Sequence, residues 1–245
     1  ISCSYDGCVK LWDLSTLTVA CHYTHTSLAS VQPAQVQDCR AFTDTDGHRK
    51  LISAAYGDGE PGTIEIATIP ADEQQAGETW VPAPGVSAEQ FLWQENPRNP
   101  KRFLQTLEPN VPTSIDRGNR LRCCVVFQAA NEDFLGALSV DERLQNIWCW
   151  DLSENRLHWI WKAHEEGVRS CSTFTDSEGN CRAVSCSQDS TLAVWDLDSI
   201  IRKGTKPKEL VQLDSDVKPL ERLCGHDDWV NDCIPFQADK TRKVL

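Results

Sequence analysis

The sequence predicts an all-β protein assembled from repeated units of four strands each. Two patterns at fixed spacing predict it. Trp-Asp-Leu occurs three times, at Trp12-Asp13-Leu14, Trp150-Asp151-Leu152 and Trp195-Asp196-Leu197. An apolar residue, two others, Cys, two others and Phe occurs four times. The copies are Val36, Cys39, Phe42; Leu121, Cys124, Phe127; Val168, Cys171, Phe174; and Val230, Cys233, Phe236.

Each element follows from local chemistry. The Trp-Asp pairs close short alternating runs, such as Cys8-Val9-Lys10-Leu11-Trp12 and Thr191-Leu192-Ala193-Val194-Trp195. Alternation is the period of a half-buried strand. The Cys-and-Phe runs form a second strand type, in which Cys acts as a small buried hydrophobe. After the Phe come matching turns, Asp44-Thr45-Asp46-Gly47 and Asp176-Ser177-Glu178-Gly179, with Asp and Gly where tight turns need them. Ser53 and Ser185 then fall 11 residues after their Phe and mark the next strand. The unit therefore runs from an inner Cys strand through a Ser strand and a Trp-Asp strand to an outer strand.

Two insertions separate the units of what is otherwise one repeat segment spanning 1–245. The first, at about 70–118, is rich in Pro, Glu, Gln and Asn, with Phe91-Leu92-Trp93 as a candidate outer strand. The second, at about 198–219, holds the basic run Arg202-Lys203-Gly204-Thr205-Lys206-Pro207-Lys208, which reads as a solvated loop rather than a nucleic-acid patch. Long loops of this kind often carry binding functions. Joining the last residues to the first puts Ser2 11 positions after Phe236, the same spacing as in the other units. The chain thus holds about four repeat periods, and the expectation is an incomplete ring rather than a closed one.

Composition narrows the function. The net charge is −12, with 36 acidic against 24 basic residues, which argues against a nucleic-acid role driven by Lys and Arg. A basic peptide or basic protein face is the more natural partner. The sequence has no apolar run of about 18 residues, and its first residues lack the pattern of a signal peptide. Twelve cysteines occur without a Cys-x-x-Cys pair. That leaves a zinc site without its usual sequence support and favours reduced thiols in an intracellular setting, cytoplasmic or nuclear. No Gly-x-x-x-x-Gly-Lys-Ser/Thr loop is present, and no metal or cofactor is expected.

These patterns resemble the WD-repeat family, whose β-propeller blades are four-stranded antiparallel sheets around a central channel. The opening Gly-His of a repeat stands at Gly225-His226 and, with Ala for Gly, at Ala163-His164. The resemblance implies a buried network of that His with a Ser, a turn Asp and the Trp. The full set is His164, Ser185, Asp189 and Trp195, and Ser2, Asp6 and Trp12 match three of its positions at the same spacing. A buried polar network helps only when every member finds a partner. Placement within one repeat makes this His, Ser and Asp a structural set rather than a hydrolytic triad.

Two units depart from the pattern. Aligning Thr63 with Thr191 puts Ala67 and Thr68 where Trp-Asp belongs, and Arg117 stands where the third unit should have its His. Both units are expected to lack the full network and to rest mainly on packing. His25 is a candidate displaced repeat-opening His, whereas His22, His48 and His158 are scattered.

The resemblance implies a non-enzymatic scaffold that holds protein or peptide partners. The alternative is a sensor or substrate-recognition region of a larger signalling ATPase or ubiquitin-ligase assembly. The positions matching the family's partner-binding face are Tyr5 and Gln188, just before the turn Asp, and Asp227 and Trp229, just after Gly-His. Trp229 is the leading candidate, because exposed aromatics dominate interface energetics.

Overall fold

The structure is a computed structural model. It describes residues 1–25, 34–56, 62–69, 101–102, 105–107, 120–129, 134–203, 213–238 and 241–244. The first strands are β1 (Ser2–Cys3), β2 (Cys8–Asp13), β3 (Thr18–Thr24), β4 (Gln35–Thr43), β5 (Arg49–Tyr56), β6 (Thr63–Thr68), β7 (Lys101–Arg102) and β8 (Gln105–Leu107). The next are β9 (Leu121–Gln128), β10 (Leu135–Asp141), β11 (Asn146–Asp151), β12 (Arg156–Lys162), β13 (Val168–Thr175), β14 (Cys181–Ser187) and β15 (Thr191–Asp196). Helix α1 (Leu197–Arg202) precedes β16 (Leu213–Asp214), β17 (Glu221–Cys224), β18 (Pro235–Ala238) and β19 (Thr241–Val244). No described helix is long and apolar enough to cross a membrane.

The strands form successive small sheets, or blades. The orders are β1-β2-β3-β7, β4-β5-β6-β8, β9-β10-β11-β12 with β16 at its outer edge, β13-β14-β15-β17, and the pair β18-β19. Within the complete blades the Cys strand is innermost, followed by the Ser strand and the Trp-Asp strand. The inner strands pack in series, β4 against β9, β9 against β13, and β13 against β18. Among the described residues, β1 pairs with β2 alone.

The core lies between blades rather than within one. One cluster joins Val9 and Tyr23 of the first blade to Val36, Leu51 and Ala67 of the second. Another joins Ile52 and Ile64 to Leu121, Trp148 and Trp150. A third joins Ile147 and Trp161 to Val168, Ala183 and Trp195, where the Trp161 and Trp195 rings meet edge-on at 5.7 Å. Side chains alternate along each strand, so each sheet can offer one face to each neighbour.

The inner cysteines explain themselves in this packing. The Cys124 Sγ lies 3.8 Å from the Ile52 carbonyl, and the Cys233 Sγ lies 3.6 Å from the Val184 carbonyl. Both carbonyls directly precede the Ser of the preceding blade. Cys therefore adds a weak S–H donor to a small apolar volume, which Ala or Val could not. All twelve cysteines are free thiols, and burial pushes Cys124 well above its ordinary value. Such thiols are inert.

The insertions are described in part. Gln105–Leu107 form the outer strand of the second blade, and Phe91 to Trp93 lie outside the described residues. The second insertion opens as a helix, and residues 204–208 of the basic run lie outside the described residues. Asp196 caps α1 by accepting from the Ser199 amide, while Leu197 and Ile200 bury against the third blade's seam. Leu213 and Asp214 then pair in parallel with β12.

Candidate interaction face

The polar network of the fourth blade sets the geometry of the face above it. His164 Nδ1 lies 2.9 Å from Asp189 Oδ2, and its Nε2 lies 2.8 Å from Ser185 Oγ. The indole of Trp195 donates to the same Ser185 oxygen at 2.9 Å. A carboxylate only accepts, so Nδ1 carries the proton and Nε2 accepts from Ser185. Burial raises the Asp189 carboxyl, but hydrogen bonds from His164 and Thr191 outweigh this and hold it well below the usual carboxylate range. Arg222, which sequence reasoning missed, closes the set by donating to Thr191 Oγ1 and the Ala163 carbonyl, both at 3.2 Å. His164 and Ser185 are buried.

The other blades solve the same problem with different residues. In the second, His25 reaches Ser53 Oγ and Thr63 Oγ1, each at 2.8 Å, with Glu65 at 3.6 Å. In the third, Trp150 donates to Ser139 Oγ at 2.8 Å, and Trp148 fills the register position opposite Ser139. The corresponding residues opposite Ser53 and Ser185 are Glu65 and Ala193. Ala193 leaves room for an imidazole, whereas Trp148 takes that volume itself. Arg117 lies outside the described residues. In the first blade, Trp12 donates to Ser2 Oγ at 2.8 Å, and Asp6 accepts from the Cys8 amide. Trp12 stays 41% exposed, and His226 is exposed away from this pair.

A feature absent from the sequence reading recurs at the inner-strand entries. Register shifts leave one unpaired residue in each of three inner strands: Gln37 in β4, Arg122 in β9 and Arg169 in β13. Such bulges re-aim a side chain at a sheet rim. All three follow the apolar residue that opens the Cys-and-Phe pattern, and Asn231 holds that place in the fourth copy.

Two of the bulged residues contact residues expected at the partner-binding face. Tyr5 is exposed, and its hydroxyl donates to Gln37 Oε1 at 3.2 Å. Trp229, 54% exposed, lies over the Arg169 guanidinium at 5.8 Å from ring centroid to Cζ. Arg122 and Arg169 both donate to Glu142 Oε1, Arg122 at 2.9 Å. Gly167 permits this convergence, because a Cβ there would lie 1.9 Å from the Glu142 carbonyl oxygen. Gln188 donates its amide to the Gly167 carbonyl at 3.0 Å. Asp227 is exposed beside them, and Asp228 accepts from the Trp229 amide.

Beside Trp229 opens a cavity of about 320 Å³, lined by Leu192, Leu223, His226, Val230 and Asp232. Leu192 and Leu223 pair across the sheet as Ile147 and Trp161 do in the third blade. There the neighbouring Trp195 covers the pair.

Residues 1–13 and 155–196 match the family profile described as WD domain, G-beta repeat. These two segments are similar to WD repeats. The matched segments hold Trp12-Asp13 and the His164, Ser185, Asp189 and Trp195 set. No match to a curated protein was found. Among solved structures, the chain is similar to a chain of "Structure of ctPRC2 in complex with H3K27me3 and H3K27M", at 13% identity and a TM-score of 0.43. The likeness covers 69% of this chain and 28% of that one, so the chain spans under a third of its neighbour's length.

Proposed function

We propose that the protein is an interaction scaffold that holds partner proteins or peptides on the face carrying Tyr5, Gln188, Asp227 and Trp229. The observation carrying this reading is the half-exposed Trp229 ring, which lies against the Arg169 guanidinium. A large ring with a packing partner loses little conformational entropy on binding, which suits it to anchor an interface. Tyr5 has a partner of its own in Gln37. Blade packing supplies the rigid frame, and the turns and strand entries supply the contacts.

The test uses the chain as bait for displayed peptide libraries. Trp229→Ala should weaken a recovered peptide by about tenfold or more, the scale of an anchor worth over 1.4 kcal/mol. The melting temperature should stay within a few degrees. Leu14→Ser, an exposed change in the Trp-Asp turn of the first blade, should leave affinity unchanged. Unchanged binding by the Trp229 variant would remove this face from the function.

A further inference from the structure

We infer that the Arg122, Glu142, Arg169 and Trp229 cluster is a subsite for a carboxylate side chain of an acidic peptide. The inference rests on the scaffold reading and adds the chemistry of the partner. Its basis is a local charge imbalance. One oxygen of one carboxylate, Glu142 Oε1, receives both Arg122 and Arg169. A single negative charge cannot neutralise two guanidinium groups, so one positive charge is left at the entrance to the inner strands.

Among the described residues, no second carboxylate lies within salt-bridge distance of Arg122 or Arg169. Asp38 is engaged by Arg40 at 2.6 Å and by the Cys124 amide at 3.1 Å. Asp141 is buried, with its Oδ1 accepting from the backbone amides of Arg120, Arg143 and Leu144. Asp228 is turned into its own turn by the Trp229 amide. Two further arginines add to the excess. Arg143 is exposed next to Glu142 in sequence, and Arg120 stacks on Tyr56 at 5.1 Å.

The sign is opposite to that of the whole chain. A net charge of −12 favours basic partners at long range, but contact at this entrance is with guanidinium groups. Arginine is suited to the task, because its planar donor fork matches a carboxylate while its face stacks on an aromatic ring. Trp229 lies against Arg169 in that manner, and the Arg169 and Glu142 side chains are each only 17% exposed, which strengthens their contact. Glu142 occupies the cluster as an internal competitor for any incoming carboxylate.

The experiment is selection of random 12-residue peptides on phage by the full chain, followed by anisotropy measurements on one recovered peptide. Asp and Glu should be enriched, and replacing the acidic residues by Gln should weaken the peptide by about tenfold, as for loss of a charge-assisted hydrogen bond. Arg122→Gln with Arg169→Gln should reproduce that loss, while Arg202→Gln should not. Glu142→Gln should tighten binding several-fold, an outcome that misfolding cannot imitate. Neutral or basic peptides, an empty selection, or weaker binding by Glu142→Gln would overturn the inference. Binding that depends on Trp229 but not on peptide acidity would overturn only the carboxylate subsite; indifference to Trp229→Ala would overturn the scaffold face as well.

Discussion

The fourth and second blades bury a histidine at the same place and stabilise it by different means. In the fourth, His164 donates to an ionised Asp189 and accepts from Ser185, and Trp195 completes the chain of hydrogen bonds. In the second, His25 spans two hydroxyls, Ser53 and Thr63, and Ala67 replaces the Trp. The volume lost there returns from across the sheet. Leu51 pairs with Ala67, whereas Ala183 pairs with Trp195 and Ala137 with Trp150. Leu51 thus refills part of the volume that Trp takes in the other two blades, the kind of exchange that cores tolerate. The sequence reading expects the second and third blades to rest mainly on packing. It misses the hydrogen bonds of His25 and Trp150.

The largest difference between blades should appear at the Trp itself. Trp195 is fully buried between Trp161 and Ser185, so Trp195→Ala should cost about 3–5 kcal/mol in urea denaturation. Trp12 makes the matching bond to Ser2 but stays 41% exposed, so Trp12→Ala should cost about 1 kcal/mol. Equal losses would mean that the hydrogen bond to Ser, rather than enclosure by the neighbouring blade, governs this position.

Acid should separate the two networks next. Burial pushes His25 down to about 3, below its ordinary value of 6.5. The unfolded chain therefore takes up the proton first. Stability is full above pH 6.5 and falls as the pH drops toward 3, with about 2 kcal/mol lost at pH 5. His25→Gln should shrink the stability difference between pH 7 and pH 5 by about that amount. Burial also pushes His158 down, so a residual slope should remain. Asp189 is shifted in the same direction but acts at lower pH: its lowered carboxyl contributes above about pH 4 and loses that contribution only as the pH falls further. Asp189→Asn should flatten the curve below pH 4 and leave the pH 5 to 7 slope in place. A His25→Gln variant with an unchanged slope would show that this imidazole is hydrated in solution.

The legible part of this molecule was whatever recurs in sequence. The Cys-and-Phe spacing located β4, β9 and β13, and Trp-Asp-Leu located the ends of β2, β11 and β15. The role of His25 was harder to read because an insertion changes its distance from Val36. The bulges at Gln37, Arg122 and Arg169 left only a faint signal, a polar residue at one position of each copy. A bulge is a property of the pairing between strands, and no single strand encodes it. The convergence of Arg122, Arg169 and Trp229 on one face joins residues from three repeats. It becomes visible only when the blades are placed side by side.

The smallest predicted effect concerns the turn between the second and third strands. Asp6 in the first blade and Asp189 in the fourth each accept the amide two residues on, from Cys8 and Thr191. The residue between them is left-handed in both blades, Gly7 at φ 81° and Ser190 at φ 65°. Glycine adopts this conformation without strain, whereas a residue with a Cβ pays about 1 kcal/mol. Gly7→Ser should therefore lower stability by about 1 kcal/mol. Ser190→Gly should raise it by less, about 0.5 kcal/mol, because the freer unfolded chain offsets part of the relief. Thermal melts of the two variants should shift in opposite directions. A loss in both would mean that the Ser190 side chain earns its place in the turn despite the backbone strain.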